Sequence, residues 1–248
     1  MNKKQVLITG ACGGIGRGAI AAFRTAGWHI IGIDQAPATA DLDVDEFVRA
    51  DLAAEGGVVQ IREQLAHVTT LDALVNNAAL QVNQPLVQTT DDEWAAVMNI
   101  NVRAAFQMIR EFHSALAAVR GAIVNVSSVH AVATSINVAV YAISKGALVA
   151  LTRSAALELA EEGIRCNAVL PGAVLTPMLK DGLSRRPHTD GPDGNLNELV
   201  RRTPLGFVAT PAQIAPTIVH LADTELSPYT TGQMMVVDGG ATIRLGTE

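Results

Sequence analysis

Short apolar runs recur along the chain, separated by stretches whose apolar residues fall at helical spacing. Residues 5–8, 28–33, 71–75 and 122–126 are the clearest runs. Their hydrophobicity is nearly continuous rather than alternating, which marks strands buried on both faces. The first strand is followed by a helix read over 18–26. The second ends in Asp34, a third is expected to end near Asp51 and Leu52, and the fourth opens into Asn76-Asn77-Ala78-Ala79. Thr90-Asp91-Asp92-Glu93 has the form of a capping box and predicts a long helix. Its inward stripe would be Trp94, Val97, Met98, Asn101, Ala105, Met108 and Phe112. Asp51 comes only 17 positions after Asp34 and the stretch includes Pro37, so the crossover between strands two and three should be short or poorly helical. Strands alternating with helices predict an α/β chain built on a parallel sheet covered on both faces.

Composition narrows this picture. A chain of 248 residues can bury a large core as one domain, and residues 1–248 are read as one. With 49% hydrophobic but only 4% aromatic residues, the core must be built from Ala, Val, Leu and Ile. A net charge of -6 disfavours nucleic acid as a main partner. No apolar run approaches the roughly 18 residues that span a bilayer. Met1-Asn2-Lys3-Lys4 leads directly into the first strand, so a cytoplasmic location is expected. Cys12 and Cys166 have no metal-ligand spacing, and His29, His67, His113 and His220 form no metal-like cluster; no metal is expected.

The chemistry begins at Thr9-Gly10-Ala11-Cys12-Gly13-Gly14-Ile15-Gly16, where a strand turns into a helix. Glycines let the backbone approach a phosphate, and the helix N-terminus turns free N–H groups and a positive dipole end toward it. Taken alone, the same glycines also suit a tight structural connection. Asp34 lies where a carboxylate can accept from ribose hydroxyls and repel a 2′-phosphate, so NAD is expected over NADP. Gln35 and Gly13 offer no cation for such a phosphate. Arg17 is the one residue against this reading unless it faces solvent.

Ser127 and Ser128 end the fifth strand, at the edge where parallel sheets bind ligands. Tyr141 and Lys145 follow one helical turn apart and share a face. A phenol with a pKa near 10 is a poor base at pH 7. An ammonium about 4 Å away is worth on the order of 4 kcal/mol at an effective dielectric of 20, enough to lower it by two to three units. Tyrosinate could then take an alcohol proton while hydride leaves carbon, with Ser128 holding the substrate oxygen. An aromatic ring packed on a lysine stem is the plainer alternative. Asn101, polar on a buried stripe, is either a structural amide tied to backbone or a member of a buried relay.

These residues together resemble the classical short-chain dehydrogenase/reductase family, from about residue 5 to residue 240. The motifs are Thr9-Gly10-x3-Gly14-x-Gly16, Asp51, Asn76-Asn77-Ala78, Asn101, Ser128, Tyr141-x3-Lys145, Pro171-Gly172 with Thr176, and Val237-Asp238-Gly239-Gly240. The 13-residue interval between Ser128 and Tyr141 selects Ser128 over Ser127. The resemblance implies a Rossmann-like three-layer sandwich with a central, mainly seven-stranded parallel sheet. It implies catalytic Asn101, Ser128, Tyr141 and Lys145, with Asn101 on a water-linked proton path through Lys145. Cofactor contacts would come from Gly10, Gly13, Gly14, Ile15, Gly16, Asp34, Asp51, Leu52, Asn77, Ala78, Tyr141, Lys145, Pro171, Gly172, Val174 and Thr176. Asp51 and Leu52 would border adenine, Lys145 would bond the nicotinamide ribose, and Val174 and Thr176 would hold the carboxamide. Ala79 departs from the family, which usually has glycine there. The family is commonly tetrameric, and the apolar faces of 94–116 and 148–159 allow a homotetramer or a dimer.

By the same resemblance 177–203 is a substrate lid, and here 181–197 reads as a long polar loop. Arg185, Arg186 and His188 suit an anionic or hydroxylated substrate or, equally, a solvated face. His130 should lie near the reacting carbon, to read a substrate hydroxyl or cap local backbone. The leading expectation is an NAD-dependent dehydrogenase of a sugar, sugar acid or polyol. The alternatives are a fatty-acyl-type carbonyl reductase and a silent relative that senses the nicotinamide ratio.

Overall fold

A computed structural model describes residues 3–185 and 191–244. Seven strands form one sheet in the order β3-β2-β1-β4-β5-β6-β7, and every neighbouring pair is parallel. They are β1 (Gln5–Thr9), β2 (His29–Asp34), β3 (Glu46–Arg49), β4 (Ala73–Asn76), β5 (Ala122–Val126), β6 (Arg165–Pro171) and β7 (Met234–Val237). The chain reverses its direction of travel across the sheet between β3 and β4, which opens a crevice at the carboxyl ends of β1 and β4.

Alternate strand residues feed two cores. Leu7, Ile31, Leu74 and Ile123 pack against α2 (Gly57–Gln64), α4 (Ala104–Ala117) and α5 (Ala139–Glu158) through Ile61, Met108, Phe112 and Ala155. Val6, Ile8, Ile30 and Val124 face α1 (Gly14–Thr25) and α8 (Pro211–Ala222) through Phe23, Ile218 and Leu221. At Gly18 the two helices touch so closely that a Cβ would lie 2.8 Å from Pro211 Cβ. The few aromatics serve as wedges, with Phe23 and Trp28 edge to face at 5.0 Å.

Several boundaries differ from the sequence reading. The first helix starts at Gly14, not Gly18, so Gly14 and Gly16 lie inside its first turn. The third strand ends at Arg49, leaving Asp51 and Leu52 in the following loop. No helix joins β2 to β3, as expected. The long helix after Thr90 is in fact α3 (Asp91–Met98), a π-helical turn at Asn99–Arg103, and α4. Its capping box is present, but Trp94 is 44% exposed and leaves the inward stripe. The polar stretch 181–197 is partly helical, since α6 (Pro177–Ser184) and α7 (Gly191–Arg202) flank 186–190. Among the described residues no helix is long and apolar enough to cross a membrane, and no cluster suits a metal ion.

Candidate functional site

Gly10 takes φ +66°, and a Cβ there would lie 2.9 Å from Ala78 Cα. Only glycine meets both demands. The side chain of Asn77, at the end of β4, straps the turn by donating to the carbonyls of Thr9 (2.9 Å) and Gly10 (3.1 Å). Thr9 Oγ1 in return accepts from the Asn77 and Ala78 N–H groups at 3.0 and 3.1 Å. A Cβ on Gly16 would lie 2.1 Å from Gly10 O, so this glycine lets the helix seat against the turn. No side chain caps the N-terminus of α1. Its first-turn N–H groups face a cleft of about 450 Å³, within the size range of small-ligand sites. An uncapped helix start over a glycine floor fits a dinucleotide pyrophosphate.

The cleft is lined by Gly10, Gly13, Gly14, Ile15, Asp34, Asp51, Leu52, Asn77, Ala78, Tyr141, Lys145 and Thr176, all named from the sequence. Four expected contact residues do not line it. Gly16 packs the turn, Gly172 sits against Asp238 where a Cβ would meet Asp238 Cβ at 2.8 Å, Pro171 ends β6, and Val174 bridges Ala209. These four shape the site from behind. Sequence reasoning named Gln35 only as offering no cation, and missed Ala50, Ala53, Leu80, Ala96, Ile100 and Met178. The run after each strand end was the available signal for Gln35, Ala50, Ala53 and Leu80; Ala96, Ile100 and Met178 arrive from helices whose placement no local pattern encodes. Asp34 accepts from the N–H groups of Cys12 and Ala36, both at 2.9 Å.

At the other end of the cleft, the N-terminal part of α5 brings Tyr141 and Lys145 to β5. The Ser128 side chain hydrogen-bonds the Tyr141 phenol, and Ser128 Oγ also accepts from the His130 N–H at 3.2 Å. The His130 ring stands edge to face on Tyr141, with centroids 5.7 Å apart, and Nδ1 pairs with Thr134 Oγ1 at 3.0 Å. Lys145 Nζ lies 5.5 Å from the Tyr141 ring centroid and donates to Val126 O at 2.8 Å. Ser127, one residue before the selected serine, donates instead to Lys145 O at 2.9 Å and holds α5 against β5.

Asn101 turns out to join both of its alternatives. Its Oδ1 accepts from Leu80 N (2.7 Å), while Nδ2 donates to Leu80 O (2.9 Å) and to Ser144 Oγ (2.9 Å). Ser144 Oγ donates on to Tyr141 O at 2.7 Å. The wider π turn aims this amide inward, and the described bonds run to Leu80 and Ser144 rather than to Lys145.

The electrostatics correct the sequence expectation. Burial pushes the Tyr141 phenol up to about 12, with the Ser128 hydrogen bond pulling the other way. Burial lowers the Lys145 ammonium to about 7. The expected fall of the tyrosine pKa therefore does not arise from the protein's own groups: desolvation outweighs a lysine that is itself partly neutral at pH 7. This has a measurable consequence for stability. Between pH 7 and about 10 the unfolded chain holds a proton on Lys145 that the folded chain has released, so stability rises with pH. The melting temperature of the protein alone is expected to climb across pH 7–8.5, below the range where the buried Cys166 thiol opposes it, and Lys145→Met should flatten the climb. An equally steep climb in that variant would remove Lys145 as its source.

Beyond β4, Gln84 bridges Val138 and brings 80–84 alongside the start of α5. Gln81 Nε2 donates to Asn83 Oδ1 at 2.8 Å. Both amides face α6, where a Cβ on Gly182 would lie 3.7 Å from Asn83 Nδ2 and 3.8 Å from Gln81 Nε2. Neither had been singled out from sequence. Arg185 is held by Asp181 at 2.7 Å, and Arg186 and His188 lie outside the described residues.

A family model described as enoyl-(acyl carrier protein) reductase matches residues 10–242. Dehydrogenase/reductase SDR family member 6 of Xenopus laevis is 32% identical, with 97% of this chain and 98% of that protein aligned. L-xylulose reductase of Cavia porcellus is 35% identical, with 96% of each aligned. The ligand-free aldohexose dehydrogenase of Thermoplasma acidophilum superposes with a TM-score of 0.90 at 26% identity, covering 100% of this chain and 97% of that one. Other similar structures hold NADH or NADP. With the parallel sheet, the glycine turn and the Ser-Tyr-Lys group in place, the chain belongs to the short-chain dehydrogenase/reductase family of oxidoreductases, which bind a nicotinamide cofactor.

Proposed function

We propose that this protein is an NAD-dependent dehydrogenase of a polar secondary alcohol, hemiacetal or polyol, with sugars and sugar acids as the leading substrates. The observation that carries the reading is Ser128 beside Tyr141, which with Lys145 lines one end of the cleft whose other end holds the glycine turn and Asp34. The cofactor, when bound, supplies the hydride acceptor or donor. Gly10, Gly13, Gly14, Ile15, Asn77 and Ala78 would frame its pyrophosphate side, with Gly16 seating the helix. Asp51 and Leu52 would border adenine, Asp34 would accept from the ribose hydroxyls, and Thr176 would sit near the carboxamide. Pro171, Gly172 and Val174 support that wall.

Tyr141 exchanges the proton with the substrate oxygen, and Ser128 donates a hydrogen bond to that oxygen. Lys145 stabilises the phenolate by charge only while it holds its proton, and Asn101 is a positioning residue acting through Ser144 and the Tyr141 carbonyl. Because the phenol is neutral at pH 7, the protein's own groups favour protonating a carbonyl there. Alcohol oxidation should speed up as pH rises, since it needs the phenolate.

Polarity around the substrate side supports a hydroxylated substrate. Gln81, Asn83 and His130 offer amide and imidazole groups, and Arg185, Arg186 and His188 of the proposed 177–203 lid remain candidate contacts. The likeness to the enoyl-(acyl carrier protein) reductase family model favours a second reading, a fatty-acyl-type carbonyl reductase; Asp34 counts against it. The test is NADH or NADPH formation with aldoses, sugar acids, polyols and apolar secondary alcohols, and the reverse with acyl carbonyls. NAD-linked oxidation of one polar class supports the proposal. Turnover confined to NADPH and acyl carbonyls would overturn it, and binding without turnover on any substrate would favour a sensor of the nicotinamide ratio. Exposed Trp94, Phe106 and Leu157 fit the homotetramer proposed from the family, which light scattering would test.

A further inference from the structure

Arg17, the cation that stood against NAD from sequence alone, does not face solvent freely. It sits in the first turn of α1, with its N–H on Gly13 O at 2.9 Å. Its guanidinium is spread over three acceptors: Nε to Cys12 O (3.1 Å), Nη1 to Asp41 Oδ2 (3.0 Å) and Nη2 to Thr39 Oγ1 (2.7 Å). Thr39 Oγ1 in turn donates to Asp41 Oδ1 at 2.5 Å, and Leu42 N closes the loop on Thr39 O at 2.9 Å. Cys12 links this group to the ribose end of the cleft, since its N–H donates to Asp34 at 2.9 Å while its carbonyl accepts from Arg17. A guanidinium one peptide unit from the ribose carboxylate is thus bridged to a second carboxylate contributed by the helix-free β2–β3 loop.

We infer that Asp41 and Thr39 clamp Arg17, and that this clamp is a second determinant of cofactor choice beside Asp34. A guanidinium fork matches phosphate oxygens, so an Arg at this place would be a ready partner for a 2′-phosphate. Held by Asp41, its charge is offset and three of its five N–H donors are occupied. Asp34 repels the extra phosphate, and the clamp withholds the cation that would attract it. The inference rests on the NAD reading for its meaning but not for its geometry. Arg49, whose Nε donates to Gln35 O at 3.1 Å, is the other cation near Asp34.

Titration calorimetry of NAD and NADP binding to the full chain separates the terms without any need for turnover. Asp34→Asn removes the charge and keeps one of the two acceptors, since Cys12 N–H is taken by Oδ2 and Ala36 N–H by Oδ1. In that background Asp41→Ala is expected to tighten NADP binding roughly tenfold or more, the range for a charge-assisted hydrogen bond, with NAD affinity nearly constant. Adding Arg17→Ala should cancel the gain, whereas Arg17→Ala in the otherwise native chain should leave NADP affinity within about twofold. Melting temperatures of each variant show whether the fold is intact. A double variant whose NADP affinity ignores Arg17, or loses its gain only with Arg49→Ala, overturns the clamp. Native protein that binds NADP as tightly as NAD overturns the cofactor reading instead, and if that affinity falls on Arg17→Ala the clamp falls with it.

Discussion

Tyr141→Phe is expected to lower kcat by roughly a thousandfold, within the span that positioned acid–base groups contribute, while dinucleotide affinity stays within about threefold. The reason is local. The variant keeps the ring, so the edge-to-face contact with His130 and the position of Lys145 over the ring face are retained. Only the phenol that meets Ser128 is lost. Steady-state kinetics and calorimetry on the same preparation check both halves. Turnover within tenfold of the native protein would remove Tyr141 from the proposed role, and lost cofactor binding would show that its effect is structural. Ser128→Ala is a useful companion, because it leaves the phenol in place and removes the one hydrogen bond that lowers its pKa.

Gly16→Ala should be nearly as damaging, by a different route. A methyl placed 2.1 Å from Gly10 O has backbone as its neighbour, so the helix start or the turn must move. Overpacking of this kind costs about 1–3 kcal/mol in stability. A displaced turn should also weaken dinucleotide binding by about a hundredfold, since roughly 2.8 kcal/mol of contact would be lost. Gly13→Ala is expected to be milder: its φ of -73° suits any residue and the nearest contact is 3.2 Å. Thermal melts and calorimetry on the two variants test the order. If Gly13→Ala proved the more harmful, close packing of α1 on the turn would not be what Gly16 provides.

Much of the site was readable because its parts depend on local chain chemistry. The glycine turn needs glycine wherever backbone meets backbone, and Tyr141 and Lys145 share a face by helical periodicity alone. The strand runs were legible because buried parallel strands are continuously apolar, so the sheet and its layers followed from pattern. Boundaries were less so: Gly14 and Gly16 read as turn residues because glycine is a poor helix former, yet helix α1 begins with them. The π turn at Asn99–Arg103 was likewise hidden, because a helical stripe does not register one extra residue.

The α/β class, the residue types at the glycine turn, and a serine, a phenol and an ammonium at the ends of the right elements were all legible along the chain. What each of these groups experiences depends on packing. Burial, a property of the whole fold, raised Tyr141 and lowered Lys145 where a pairwise distance argument predicted a lowered tyrosine. It likewise paired Arg17 with Asp41, 24 positions away, and set Gln81 and Asn83 opposite Gly182. Spacing along a chain fixes which residues share an element, whereas solvation and charge pairing depend on neighbours that the sequence separates and packing reunites.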